Sequence, residues 1–568
     1  MKLKIGSLVL VFLLTLFAAA YALPVAAEFD ETTRLAALAK VWGFLKYYHP
    51  VVAQGNIDWD EQLVFATKRA KSAGTRAEFN AALNELIRNA GDVNFLNYPR
   101  PVPEKSSNDP LFGWLKDQTH FMWYTVFKLE LLIENFNVNS NRYCKYVYTQ
   151  GNLDFSNENP YSSPSYPDEE HRLLALFRYW NIIHYFFPYK YLIGCDWEDV
   201  LDEFVPKIRD AKDAREYHLA IRELTARIND SHAATGSQVL SECWGLYYPP
   251  FEVRHVENQT IVTRIYTHLP ASAGGLLVGD IILSADGTAA ETLRKEKAKY
   301  VQASNEPTLQ RNLNSLIFRG RTEKLHLTVR RDGQEIGIDV IRCYYENYKA
   351  PPDDAAVWSV LEGNIGYVNM GLLEVAQVDE MMAKLMGTKA IIFDIRNYPR
   401  STLYKIGEYL NPEQKSFYMS TYADLSSPGH FLWKGPFFVG PSSSNPNYYK
   451  GKVAVLINET TQSQAEFTSM ALQTAPRAVV IGSQTAGADG NVSSVWLPGG
   501  IYTYFSGIGI YYPDGRETQR IGIVPDIESK PTVNGIRIGR DEVLERALDY
   551  IDKGASPWNY VPKKERNR

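Results

Sequence analysis

The sequence predicts a multi-domain α/β protein, and three observations carry that prediction. A helical segment occurs twice in the N-terminal half, a block of short alternating strands follows, and apolar strands alternate with helices through the C-terminal third. Residues 1–27 stand apart. Lys2 and Lys4 precede an apolar stretch from Ile5 to Ala20 and then the small residues Val25, Ala26 and Ala27, the pattern of a secretory signal peptide cleaved after Ala27. The stretch is short for a membrane span. Export to the periplasm or the extracellular space is therefore expected, with no stable membrane insertion once the signal is removed.

Residues 28–100 hold the first helical copy and residues 172–245 the second. The segment RLAALAKVWGFLKYYHP at 34–50 recurs as RLLALFRYWNIIHYFFP at 172–188, an offset of 138 residues that continues without gaps: Trp59 falls on Trp197, Glu78 on Glu216, Leu86 on Leu224 and Asp92 on Asp230. Leu35, Leu38, Trp42 and Leu45 have the three-and-four spacing of a helix face. The second copy ends in Asp230, Ser231 and His232, whereas the first ends in Asp92, Val93 and Asn94. Only the second thus offers a base; the first is expected to pack against it or cap a groove, an inactive substrate-recognition role being the alternative. The connector, 101–171, is loop-like at both ends, with a helix expected over 121–136. Strands are expected at 260–265, 280–284 and 324–330 within a β-rich block, 246–346. From 356 to 550, strands at 366–370, 390–394, 453–457 and 479–481 alternate with helices at 378–385, 402–410 and 465–473. Residues 424–450 read as a loop near the site, and 551–568 as a tail.

Composition excludes some classes. A formal net charge of −5 over 568 residues is weak and argues against nucleic acid as the main partner, since phosphate binding needs clustered Lys and Arg. None of the ten histidines has HxH or HxxxH spacing, so no metal site and no cofactor is expected. The length supports two or three cores. Oligomeric state is not readable.

The chemistry concentrates at Ser463. An apolar β-branched run, Val453 to Ile457, leads through the polar turn Asn458 to Gln462 into a helical stretch, so Ser463 stands where a helix begins. The free N–H groups and positive dipole end of that terminus suit a developing oxyanion. The same pattern also fits a plain N-cap, with Glu466 completing a capping box.

Six segments in order resemble the C-terminal-processing (tail-specific) serine peptidases, in the branch similar to the tricorn core protease: DSHA at 230–233, GLLVGDIILSADGTAAE at 275–291, KAIIFDIRNYP at 389–399, TQSQAEF at 461–467, IGSQTAG at 481–487 and GIVPDI at 522–527. The resemblance runs over about residues 172 to 530. It implies a crotonase-like βαβ core and a serine peptidase acting on polypeptides through an acyl-enzyme. The processing branch uses a lysine, whose position here is Ala488. The tricorn-like branch uses a histidine preceded by a serine, which implies His232 as general base for Ser463 and Ser231 as its partner. The orienting residue falls on Gln519 by spacing, or on Glu517 two residues earlier. The backbone N–H of Gln464 is the implied first oxyanion donor. Arg400 or Ser401 stands where relatives place a glycine pair.

Gly279, Asp280, Ile281 and Ile282, followed by Asp286 and Gly287, resemble a bacterial PDZ domain. That implies capture of a peptide C-terminus at a loop around Phe251, Glu252 and Val253, a ligand-free spacer being the alternative. Cys243 and Cys343 bracket this block and are a candidate disulfide, while Cys144 and Cys195 fall in different segments and are as readily thiols as a bridge. The leading reading is an exported serine peptidase recognising substrate C-termini. Its competitor is a catalytically inactive peptide- or apolar-ligand-binding protein of the same fold; an esterase is a third reading, weakened by the lack of a GxSxG elbow.

Overall fold

The computed structural model describes residues 29–93, 110–135, 141–148, 150–269, 272–349 and 355–553. The signal-peptide reading, Asn94 and most of the tail lie outside these residues. The chain divides into two compact units, residues 1–139 and 140–568.

In the first unit, helices Glu31–Tyr48, Trp59–Ser72 and Arg76–Asn89 begin at the side-chain caps Asp30, Asp58 and Thr75. Leu35, Leu38, Trp42 and Leu45 are fully buried. Each indole of the Trp42 and Trp59 pair donates to the other's carbonyl, at 2.9 and 3.1 Å. Arg34 closes the turn by donating to Ala70 O at 2.9 Å, Lys71 O at 3.2 Å and Phe29 O at 3.2 Å. The expected 121–136 helix is Trp123–Asn135.

In the second unit, a short strand pair, Lys145–Tyr146 and Leu153–Asp154, precedes helices Glu169–Phe186, Asp199–Arg209 and Ala214–Ala226. Here Trp180 and Trp197 exchange the same two bonds at 2.7 and 3.1 Å. Arg172 donates to Ile208 O, Arg209 O and Pro167 O, each acceptor displaced by the sequence offset from that of Arg34. The hydrogen bonds that shape each set of helices therefore recur with the sequence.

A β-rich block follows, an antiparallel sheet in the order Gln334–Ile341, Lys324–Arg331, Ile281–Ala285, Gln259–Ile265, Phe251–Val256, with Thr288–Ala289 also on Ile281–Ala285. Helices Ala290–Ala298 and Glu306–Asn314 accompany it. Phe251 and Val253, expected at a peptide-binding loop, point into this block's core, and Glu252 accepts a short hydrogen bond from Tyr266. Their strand lies at the sheet edge, so a peptide added there would meet backbone rather than these side chains. Cys243 and Cys343 are not bonded to each other: Cys243 belongs to helix Gln238–Trp244, and Cys343 is buried on a strand paired with Tyr247–Tyr248. All four cysteines are thiols.

The remaining core is a six-stranded sheet, Trp358–Leu361, Ile365–Asn369, Ala390–Asp394, Lys452–Ile457, Ala478–Gly482 and Ile527–Glu528, parallel after its first pair. Alternate residues feed opposite faces. Ile391, Phe393, Val453 and Val455 pack with helices Val378–Leu385, Leu403–Leu410 and Gln464–Leu472, while Ala390, Ile392, Ala454 and Leu456 pack with Glu542–Lys553. Burial on both faces explains why these strands read as continuous apolar runs. Within 424–450, expected as a loop, Phe431–Val439 is a strand paired with Lys415–Ala423; most of its residues are exposed, so no buried alternation marked it. A further sheet joins Val492–Leu497, Ile501–Ser506 and Thr235–Gly236. That pairing brings the end of the second helical set to the core. Among the described residues no helix is long and apolar enough to cross a membrane.

Candidate active site

Ser463 stands in a tight turn between strand Lys452–Ile457 and helix Gln464–Leu472. Thr461 fixes the turn by donating to Ile395 O at 2.9 Å and accepting from Asn458 N at 3.1 Å. Ser463 has φ 58° and ψ −122°, a left-handed conformation that costs a side-chain-bearing residue about 1–3 kcal/mol and persists only where the surroundings impose it. They do so here: the Ser463 N–H donates to Ala488 O at 3.0 Å and to Glu466 Oε2 at 3.1 Å. Ser463 remains partly exposed. Gln464 is the first helical residue, where the N–H has no intrahelical acceptor and is free for an oxyanion.

Beneath the turn, the buried Glu466 carboxylate also accepts from Thr485 Oγ1 at 2.5 Å, Gly487 N at 2.8 Å and Ala488 N at 3.1 Å. Burial pushes this carboxyl up to about 7 against those donors. The neighbouring Asp489 is raised by burial and then by the Glu466 charge. Gly522, at φ 69°, closes this nest; a Cβ there would meet Thr485 Oγ1 at 2.2 Å and Glu466 Oε1 at 3.0 Å. Gly522→Ala is therefore expected to lower stability by about 1–3 kcal/mol and to lower turnover, as a melting curve and an activity assay on the same sample would show.

His232 comes from the other side. Strand Thr235–Gly236 pairs with Ile501–Ser506 and holds the 230–234 turn against it. His232 Nδ1 lies 2.9 Å from Ser506 Oγ, Ser506 Oγ donates to Asp230 Oδ1 at 3.0 Å, and Ser506 N donates to Asp230 Oδ2 at 2.6 Å. Asp230 Oδ1 accepts further from His232 N at 3.0 Å and Gln519 Nε2 at 3.2 Å. The Ser506 hydroxyl has one proton; given to the carboxylate, it leaves Ser506 as acceptor for Nδ1–H. Nε2 then carries the lone pair, and Nε2 is buried without a hydrogen-bond partner. Burial holds the imidazole below its usual range, with the Asp230 charge pushing the other way.

The two halves meet at named contacts. Gln462 Nε2 donates to Ser231 O at 3.0 Å, so the residue before Ser463 touches the residue before His232. Ser231 Oγ donates to Ala486 O at 2.8 Å, two residues from the carbonyl that holds Ser463. Ser231 is thus an anchor for the base turn, and the imidazole's partner is Ser506 instead. Glu517 does not reach the imidazole: Tyr191 donates to it at 2.6 Å. Gln519 reaches Asp230 and not the ring. Arg400 is tied to Gly371 O at 2.9 Å and to Glu374, and Ser401 is exposed with φ 57°. Among the described residues neither is hydrogen-bonded to the Ser463 turn.

Sequence reasoning passed over Asp230 as a functional group, although it sits in the quoted DSHA segment, and missed Ser506 altogether. The available signal was the alternation of Ile501–Ser506, which puts a serine next to buried Phe505 at a strand end. No group of three or more metal-ligating side chains occurs among the described residues.

Residues 364–529 match the model of peptidase family S41. That segment is an S41-like domain. Both Ser463 and the Glu466 nest lie within it, whereas His232 and Asp230 come from the preceding helical set. A Chlamydia trachomatis serovar D protein is 36% identical over 107 residues, which is 18% of this chain and 18% of that protein. The structure of mature CPAF complexed with lactacystin superposes with a TM-score of 0.51 at 18% identity, covering 68% of this chain and 98% of that chain. The crystal structure of mature CPAF gives a TM-score of 0.51 at 17% identity, over 68% of this chain and 99% of that chain. The S41 domain and its surroundings therefore share a fold with CPAF.

Proposed function

We propose that this protein is an exported serine peptidase in which Ser463 is the nucleophile and His232 the general base. The observation that carries the reading is the His232 Nε2 lone pair, unpartnered and fixed by Ser506 and Asp230, on a turn that Gln462 ties through Ser231 O to the strained strand-to-helix turn of Ser463. His232 takes the Ser463 proton as Oγ attacks the scissile carbonyl, the oxyanion meets the Gln464 N–H, and the imidazolium returns the proton to the leaving amine. Water then hydrolyses the acyl-enzyme with the same base. A second oxyanion donor is assigned to the turn after Asp394, at Arg400 or Ser401.

The finer organisation belongs to this reading. Residues 28–100 and 172–245 are two copies of one helical module, supported by the Trp and Arg bonds that recur with the offset. Residues 101–171 connect them. Residues 246–346 are a PDZ-like domain that recognises substrate C-termini along the edge strand Phe251–Val256, and 356–550 are a crotonase-like catalytic core, with 551–568 as a tail. Residues 1–27 direct export to the periplasm or beyond and are removed. Polypeptides are the substrates, with no nucleic acid partner.

The neutral imidazole is the active form, and its burial lowers its pKa. Protonation at low pH removes the base, so kcat/KM is expected to rise with pH and reach half its plateau below pH 6.5, the ordinary histidine value. A rate profile with its acid limb centred above that value contradicts the assignment. The function itself is tested by incubating the mature chain with unstructured polypeptides and reading products by mass spectrometry. Cleavage that disappears in His232→Ala supports the peptidase. A folded wild type that binds peptides and leaves them intact makes it a binding protein.

A further inference from the structure

The catalytic pair is assembled from segments far apart in sequence, so something must fix their separation. Helix Glu306–Asn314 of the β-rich block touches both. On the nucleophile side, Arg311 Nη1 donates to Glu459 O at 2.7 Å and Nη2 to Gln462 Oε1 at 2.7 Å. Gln462 then spends its Nε2 on Ser231 O at 3.0 Å. On the base side, Ser304, in the loop that leads into this helix, exchanges two bonds with Ser231: Ser231 N donates to Ser304 Oγ at 2.8 Å and Ser304 N to Ser231 Oγ at 2.7 Å. Both serines are buried, at 7% and 1% exposure.

These bonds form one chain, from Arg311 through Gln462 to the backbone one residue before His232. The guanidinium supplies only donors, so it fixes which end of the Gln462 amide is oxygen; the amide nitrogen is thereby aimed at Ser231 O. A planar fork that engages Glu459 O and Gln462 at once locates the turn as well as the side chain, which an ammonium on a flexible stem does less well. Arg254 adds a brace by donating to Glu459 Oε1 at 2.5 Å.

We infer that Arg311 and Gln462 are positioning residues, which set the distance between the Ser463 turn and the His232 turn without touching the reacting atoms. The inference rests on the peptidase reading of Ser463 and His232. It goes beyond that reading by assigning the geometry of the pair to a side chain outside the S41 domain. Arg311 also lines a cavity of about 1290 Å3 with Arg254, His255, Glu306, Glu459 and Gln484, so direct contact with a bound peptide is the competing role.

The two roles separate kinetically. Displacement of a catalytic pair by about 1 Å costs on the order of a hundredfold in turnover. Arg311→Ala and Gln462→Glu are expected to lower kcat by about ten- to a hundredfold with KM within about twofold. Gln462→Glu is the sharper variant, because it keeps an oxygen for Arg311 and replaces only the donor to Ser231 O. Arg311→Lys is expected to recover part of the loss. The full mature chain is used, with a serine-directed phosphonate as a second readout of the chemical step and melting temperatures to confirm folding. A lower inactivation rate in both variants supports the positioning role. Unchanged kcat with raised KM makes Arg311 a peptide contact and overturns it, as does unchanged kcat in folded Gln462→Glu. A folded wild type that never reacts with the phosphonate overturns the peptidase reading and this inference with it.

Discussion

Ser463→Ala is expected to lower kcat by roughly four to six orders of magnitude while leaving the fold intact. The loss is large because attack, acyl-enzyme formation and hydrolysis all pass through Oγ. The fold is spared because the bonds that impose φ 58° run through the Ser463 backbone, from N–H to Ala488 O and Glu466, and survive truncation at Cβ. His232→Ala is expected to match it, and the double variant to be no worse than either single one, since the two groups act as a unit. Steady-state cleavage of any substrate found for the wild type checks this. A Ser463→Ala variant that retains a tenth of the activity would remove Ser463 from the chemistry.

Asp230→Asn is expected to cost on the order of a thousand- to ten-thousandfold in kcat, although it changes one atom. Asp230 accepts at both oxygens, from Ser506 Oγ and N, His232 N and Gln519 Nε2. An asparagine has one acceptor oxygen and a donor nitrogen. The Ser506 hydroxyl then loses its carboxylate, turns, and donates to His232 Nδ1. The imidazole adopts the opposite tautomer, with its proton on Nε2, and can no longer take the Ser463 proton; an aspartate-to-asparagine change behind a catalytic histidine has effects of this size for this reason. Ser506→Ala breaks the same relay from its other end, and combining it with Asp230→Asn is expected to add little. If Asp230→Asn folds and keeps its rate, the relay is only structural.

Much of this arrangement was legible in the sequence, and the illegible parts share a cause. Ala390–Asp394 and Lys452–Ile457 read as strands because a parallel sheet buries both faces. The turn at Ser463 was legible because a β-branched run, a polar turn and a helical stretch follow one another locally. The identity of the imidazole's partner was not, because Ser506 reaches His232 only through the pairing of Thr235–Gly236 with Ile501–Ser506. Glu517 and Gln519 stood as alternatives for the one orienting position. The chain turns there: Gly522 N donates to Thr518 O at 2.7 Å and Arg520 has φ 64°, which sends Glu517 to Tyr191 and Gln519 to Asp230. The burial of Phe251 and Val253 has a related cause, since strand alternation assigns them to the core while the exposed edge offers backbone.

The central claim is that Ser463 is activated by a neutral, oriented His232. The most direct measurement treats the mature protein at neutral pH with a serine-directed phosphonate and maps the adduct by peptide mass spectrometry, in wild type and in Asp230→Asn. The account predicts a single adduct on the peptide that carries Ser463, formed far more slowly in the variant. A folded wild type that takes up no phosphonate, or an adduct on another serine, would contradict it.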